Sequence, residues 1–341
     1  MYSREIVSLQ QIKFALLPVR GISHAGCATD FSERADDLER FKDLCTGSGK
    51  KEKHTVITSA EEASVLARAT VPEHIVSLMT LISKGDPVLI EDHLGIAKDN
   101  WLIFIGYPLG GAFLRERCER LVQRAVETFK PEYLWFIGPE IPRALLDTTT
   151  ERQTDQYYLL DVARTDPKPS LQRLADKTAQ EVTVERGRAI SAEHEELIGE
   201  LLKRAKPAAR VQELYRALPD YLGHSPTAWT LNARDRRGNL CAFTVLDLGA
   251  AGFSAYILGA HSKMRYVSHA SDLLFREMIT LTREAGKSSI NLGLGVNEGI
   301  RRFKEKWGGK PFLPYEFCEC RYGAARKVSL IDALMGRLQF S

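Results

Sequence analysis

Cysteine is scarce and unevenly placed: six residues, at 27, 45, 118, 241, 318 and 320, of which only Cys318 and Cys320 are close together. A single intervening residue is not the two-residue gap of common zinc sites, so free buried thiols are expected and a metal is not. No apolar run approaches the ~20 residues of a membrane-spanning helix, so no integral membrane association is expected. The opening Met1-Tyr2-Ser3-Arg4-Glu5 lacks the charged-then-apolar layout of a secretion signal. Reduced thiols and no leader point to a cytoplasmic protein. A surplus of one charge is missing too: 47 Lys and Arg stand against 44 Asp and Glu, a net +3. Many of the basic residues adjoin acids, as in Arg115-Glu116-Arg117, the pattern of a solvated helix face; DNA binding is not expected. A sustained heptad run is also absent, which argues against a long coiled coil.

What is present is an ordinary globular composition, 44% apolar and 27% charged, over 341 residues, a length that fits about two domains. Helical patterns at 60–69 and 72–83 are followed by strand patterns at 87–96 and 100–107, then a Gly110-Gly111 turn, an amphipathic helix at 112–129 and an apolar strand at 133–137. The order returns later: a strand at 181–190, helices at 191–205 and 207–218, and a three-strand meander at 229–235, 240–248 and 253–260. A small-residue turn, a helix at 268–285 and a strand at 289–294 complete it. Gly110 and Ser268 are the corresponding turn residues. The expected class is α/β, with mixed sheets, in two tandem domains at 54–165 and 171–325, a linker at 166–170, a partly structured extension at 1–53, where 12–19 has strand character, and a terminal helix at 326–341.

The stretch Arg265-Tyr266-Val267-Ser268-His269-Ala270 lies where a strand hands over to a helix. A helix start leaves main-chain N–H groups unpaired and aimed at one point, which suits a phosphate, and Arg265 adds a fixed positive charge. The segment resembles the acyl-CoA pyrophosphate signature of the GNAT N-acyltransferase superfamily, Arg/Gln-x-x-Gly-x-Gly/Ala, with Ser268 in place of the first glycine. Further on, Gly299-Ile300-Arg301-Arg302-Phe303-Lys304-Glu305-Lys306-Trp307-Gly308-Gly309 is similar to the carboxy-terminal signature of FemAB-type and related GNAT proteins, whose members transfer acyl or aminoacyl groups to amines.

The resemblance implies two GNAT-like domains, and it assigns roles. The backbone of Leu258, Gly259 and Ala260 would hold an acyl carbonyl, and the N–H groups of Val267, Ser268, His269, Ala270 and Ser271, with Arg265, would hold the donor's phosphates. The donor would be acetyl-CoA or another acyl-CoA. Lys304 would face the transfer centre and stabilise a developing oxyanion or hold a phosphate; the alternative is a solvated lysine on a charged helix. His261 is a candidate base, or a surface histidine at a strand end; Glu298 is a second candidate acceptor of the amine's proton. The tyrosine that GNAT acetyltransferases often place at the start of the last helix is missing. In the first repeat Tyr107 stands where Arg265 stands in the second, and Gly138-Pro139-Glu140-Ile141-Pro142 leaves no room for a matching Phe-Lys helix. The second repeat is therefore expected to bind the donor and the first to serve as scaffold or acceptor-side wall.

The leading expectation is an acyl-CoA-dependent N-acyltransferase acting on a small amine, amino-sugar or peptide acceptor. A FemAB-like transferase using aminoacyl-tRNA on a cell-wall or lipid precursor is the alternative, with Lys203, Arg204, Lys206 and Arg210 as a basic cluster for tRNA. A ligand-sensing tandem protein without catalysis is the third.

Overall fold

A computed structural model of the chain describes residues 8–9, 56–164, 166–206 and 209–322. Apart from Ser8 and Leu9, the expected N-terminal extension lies outside the described residues, and so does the expected terminal helix.

Ser8–Leu9 form the short strand β1. The first half opens with α1 (Ser59–Ala67), closed at its start by a capping box in which Thr58 and Glu61 exchange hydrogen bonds. The single helix expected at 72–83 is instead a 3-10 turn, Pro72–His74, followed by α2 (Val76–Ser83). The one strand expected at 87–96 is a hairpin, β2 (Asp86–Ile90) and β3 (His93–Lys98), reversing at Glu91, which has φ 56°. Unbroken apolar patterning on both sides of that reversal hid it. Next come β4 (Trp101–Ile105), α3 (Arg115–Phe129), β5 (Tyr133–Gly138), a single helical turn α4 (Arg143–Leu146) and the long β6 (Thr149–Asp161).

The second half runs α5 (Pro169–Thr178), β7 (Val182–Gly187), α6 (Ala192–Ala205), α7 (Ala209–His224), β8 (Ala228–Asp235), β9 (Leu240–Asp247), β10 (Phe253–His261), α8 (Ala270–Glu284), β11 (Ser289–Leu294), α9 (Glu298–Lys306) and β12 (Lys310–Arg321). Expected boundaries move: α3 begins at Arg115 rather than 112, and β7 ends at Gly187 rather than 190. Pro169 and Ser170, expected in the linker, begin α5. α7 continues through Pro219 to His224 because Leu214, Leu218, Tyr221 and Leu222 bury one stripe, and that burial outweighs the main-chain bond proline removes.

In each half a meander of three antiparallel strands leads through a turn and a helix to a fourth strand parallel to the third: β2-β3-β4, α3, β5 and then β8-β9-β10, α8, β11. The halves are not separate sheets. The strands lie in the order β2-β3-β4-β5-β12-β6-β11-β10-β9-β8-β7, because the last strand of each half crosses into the other. β6 pairs with β11, β12 pairs with β5, and the two pair with each other from Lys310↔Leu159 to Cys320↔Thr149. α1, α2, α6 and α7 share one apolar core on one face, where Ile75, Leu78, Tyr215 and Leu218 belong to a single cluster. On the other face α3 covers the first half and α5, α8 and α9 cover the second. Cys318 and Cys320 are free, buried thiols on one face of β12, with Sγ atoms 3.9 Å apart.

Candidate functional site

The two halves differ most where their parallel strands meet. In the first, β4 and β5 stay paired over their whole length, from Trp101↔Tyr133 to Ile105↔Ile137, and the Gly106 N–H extends the ladder to the Ile137 carbonyl at 2.6 Å. Gly106 and Gly138 face each other across the ring of Phe136: a Cβ added at either would meet its Cζ at 2.4 or 2.5 Å. Aromatic packing has closed this half. In the second, β10 and β11 pair only from Phe253↔Ser289 to Ala255↔Asn291, and then separate.

The separation has local causes on both strands. β10 carries a bulge between Tyr256 and Leu258 in its register with β9. β11 carries another between Asn291 and Leu294, at Gly293, whose φ of 71° excludes most side chains and whose N–H donates to the buried Asn291 Oδ1 at 2.9 Å. Beyond the divergence, Gly259 and Leu258 of β10 pair with Ser8 and Leu9 on the side that β11 has left.

Next to this divergence a cavity, the wedge, lies between β9, β10 and the helices α8 and α9, with no residue of β11 in its lining. Its lining includes four of the residues singled out from the sequence, Gly259, Ala260, His261 and Ser271, together with Tyr256 and Phe303. Leu258, Arg265, Val267, Ser268, His269, Ala270, Glu298 and Lys304 are not part of that lining. The imidazole of His261 lies edge-on to the Tyr266 ring, centroids 6.0 Å apart.

The turn into α8 is built from more than small residues. His269 adopts a left-handed conformation (φ 63°), and its Nδ1 lies 3.0 Å from Oδ2 of Asp272. Asp272 is buried in the first turn of α8, where its Oδ1 accepts from Lys306 Nζ at 2.6 Å and Trp307 Nε1 at 2.9 Å. A carboxylate in that position already interacts with the positive end of the helix dipole. Lys306 is thus bound to the start of α8 and does not stand idle on α9. Arg265 is engaged as well: its guanidinium donates to Glu196 Oε2 on α6 at 2.7 Å. That hydrogen bond, with the nearby charges of Glu200 and Glu193, raises its already high pKa further.

Lys304 is buried, 2% exposed, with its ammonium donating to the carbonyls of Leu292 and, at 2.8 Å, Leu294. These two carbonyls flank the Gly293 bulge. Burial holds the Lys304 pKa well below its ordinary value, and the charge of Asp155 offsets this in part. Asp155 in turn accepts from the N–H groups of Gly295 at 3.0 Å and Val296 at 2.9 Å, fixing the reversal between β11 and α9. Val296 there has φ 55°, a strained conformation for a β-branched residue. Glu298 is exposed on α9 and paired with Arg302 Nε at 2.7 Å. Of the proposed tRNA cluster, Lys203 and Lys206 are exposed and Arg204 is half-buried; the side chain of Arg210 lies outside the described residues.

Sequence reasoning passed over a buried polar group on the shared face. Glu73, 1% exposed, accepts from the Tyr157 hydroxyl at 2.8 Å, and desolvation raises its pKa to about 7 against the lowering effect of that bond. Its neighbour His74 is held neutral, with a pKa near 3 caused mainly by burial; Nδ1 accepts from the Thr70 N–H, so Nε2 donates to the Tyr107 carbonyl at 3.1 Å. Tyr107 itself is buried and donates to the Pro314 carbonyl at 2.5 Å. No group of His, Cys, Asp and Glu suited to a metal ion occurs among the described residues, and no described helix is long and apolar enough to cross a membrane.

No protein-family model and no curated protein sequence matches this chain. Solved structures do share its fold. The C-terminal domain of an Agrobacterium fabrum protein described as a lysylphosphatidylglycerol synthetase aligns over 82% of this chain and 96% of its own, with a TM-score of 0.53 and 19% identity. L-PGS from Bacillus licheniformis aligns over 84% of this chain and 98% of its own, at 0.51 and 17%. FemX aligns over 77% and 96%, at 0.54 and 12%. At these identities the likeness is one of fold: a tandem GNAT-like, FemX-type fold of mixed α/β class.

Proposed function

We propose that the protein is an N-acyltransferase that passes an acyl group to an amine at the wedge beside the divergence of β10 and β11. The observation that carries this reading is the contrast between the halves: parallel pairing ends after Ala255↔Asn291 in the second and runs through Ile105↔Ile137 in the first. In this reading the main chain of Leu258, Gly259 and Ala260 holds the acyl carbonyl, and the donor's phosphate end lies toward the first turn of α8. His261 accepts the proton of the attacking amine, and the first half serves as scaffold.

The donor is an acyl-CoA or an aminoacyl-tRNA. One observation bears on the first: the Arg265 guanidinium is already held by Glu196, with Glu193 and Glu200 nearby, which is poor company for a pyrophosphate at that point. A thermal-shift panel of CoA, acetyl-CoA, longer acyl-CoAs and aminoacyl-tRNA distinguishes the two, since a ligand at a hundred times its Kd adds about 2.7 kcal/mol of apparent stability. If Arg265 does serve a CoA phosphate, Arg265→Ala should weaken CoA binding by roughly 1–3 kcal/mol, and Glu196→Gln should tighten it by releasing the guanidinium. Calorimetry that finds CoA affinity unchanged in both variants removes Arg265 from the donor site, and a panel in which no donor stabilises the protein favours a non-catalytic role.

Ser8 and Leu9 occupy the same edge of β10 that the donor would use. Leu9→Pro, which cannot continue a paired strand, should therefore raise donor affinity several-fold. Equal affinity in the parent and Leu9→Pro would separate the donor path from the Leu258–Gly259 main chain.

A further inference from the structure

The wedge carries information on the acyl group itself, and the inference drawn from it rests on the transferase reading above. Its polar lining is Thr244 of β9, Tyr256 and His261 of β10 and Ser271 of α8. Its walls are Phe243, Phe275, Met278 and Phe303. No Asp, Glu, Lys or Arg takes part in this lining. A charged acyl side chain would enter with no counter-charge to offset its lost hydration. The cavity is narrow, about 20 Å³, room for little more than one water-sized group.

Gly259 sets the depth. A Cβ at this position would stand 2.7 Å from the Tyr256 hydroxyl oxygen and 3.3 Å from Thr244 Oγ1. The absent side chain is thus what leaves these two hydroxyls within reach of a group lying along β10. We infer that the acyl unit transferred is small and carries no charged side chain, the size of an acetyl, alanyl or seryl group, and that Gly259 and Tyr256 together set its upper limit. Long acyl chains exceed the space, and a lysyl group lacks a carboxylate to meet its ammonium.

Binding tests this without knowledge of the acceptor. Two donor series are titrated by calorimetry: acetyl-, butyryl- and octanoyl-CoA, and tRNA carrying amide-linked, non-hydrolysable alanyl, seryl, leucyl or lysyl groups. Within the series that binds, affinity should fall about tenfold or more from the smallest group to octanoyl, or from alanyl to leucyl and lysyl, the discrimination typical of a pocket one or two methylenes too small. Gly259→Ala should steepen that profile, costing the larger groups at least about tenfold and the smallest less than about threefold. Adding Tyr256→Phe to Gly259→Ala removes the colliding oxygen and should restore the parent profile, an outcome that general damage to the fold would not produce. Equal affinity for octanoyl or lysyl donors and the smallest ones overturns this inference and leaves the transferase reading intact. Failure of both series to bind removes the transferase reading and the inference with it.

Discussion

Replacing Lys304 with alanine should destabilise the protein by about 3 kcal/mol, through the loss of a buried ammonium from two carbonyls and the cavity left by its stem. The effect should reach the wedge. Lys304 binds the carbonyls of Leu292 and Leu294 on either side of Gly293, the residue at which β11 turns away from β10. It is therefore placed to hold the divergence open, which makes it a positioning residue in our reading; its two hydrogen bonds described here both end on main chain. A positioning role predicts weaker donor binding, a rise in KM of about tenfold or more, along with the loss of stability. A group that met only the developing oxyanion would lower kcat by about a hundredfold and leave KM nearly unchanged. Lys304→Met separates the terms, since it keeps most of the volume and none of the donors.

The pH dependence of Lys304→Met supplies a second check. With the folded-state pKa held well below 10.5, the unfolded chain binds more protons on the alkaline side, so this group makes stability rise with pH up to about the unfolded value. Lys304→Met should lack that rise. Denaturant titrations from neutral to alkaline pH would record it, and parallel profiles for parent and variant would mean that Lys304 is solvated in solution.

The wedge was partly legible in the sequence and the sheet around it was not. Arg265 to Ala270 announced a turn because small residues and a helix start follow a strand, and Gly299 to Gly309 announced α9 by its resemblance to a family signature. Both are local signals. What joins them is the exchange of β6 and β12, which no local pattern declares: Thr149 to Gln156 is polar on both faces because Arg152 and Thr154 are met by Glu316, and Pro311 and Pro314 read against a strand that nevertheless forms, with a register irregularity beside Pro311. The commitments of Arg265 to Glu196 and of Lys306 to Asp272 span 69 and 34 residues, and no spacing rule reaches that far. Lys304 was singled out by its motif, yet the motif is silent on where its ammonium points. Glu73 gave no signal at all, since a glutamate after a proline at a helix start is ordinarily solvated.

Glu73→Gln should make the protein more stable at pH 8 by on the order of 3 kcal/mol, a gain that disappears toward pH 4.5. The sign follows from desolvation. Burial raises the Glu73 pKa from 4.5 to about 7, so between these values the folded protein holds a proton that the unfolded chain has released. Stability from this group is complete below 4.5 and is lost as pH rises through about 7. Glutamine is neutral throughout and can still accept from the Tyr157 hydroxyl, so it keeps the contact and removes the penalty. Parent and variant should therefore unfold together near pH 4.5 and separate by several degrees at pH 8, the variant melting higher. Tyr157→Phe should act in the opposite direction above neutrality, because it withdraws the stronger of the two hydrogen bonds that favour the carboxylate, the other coming from the Glu73 main chain. If Glu73→Gln proves equally destabilising at both pH values, the carboxylate is ionised and paired in solution, and the shared face beneath the sheet is wetter than its packing indicates.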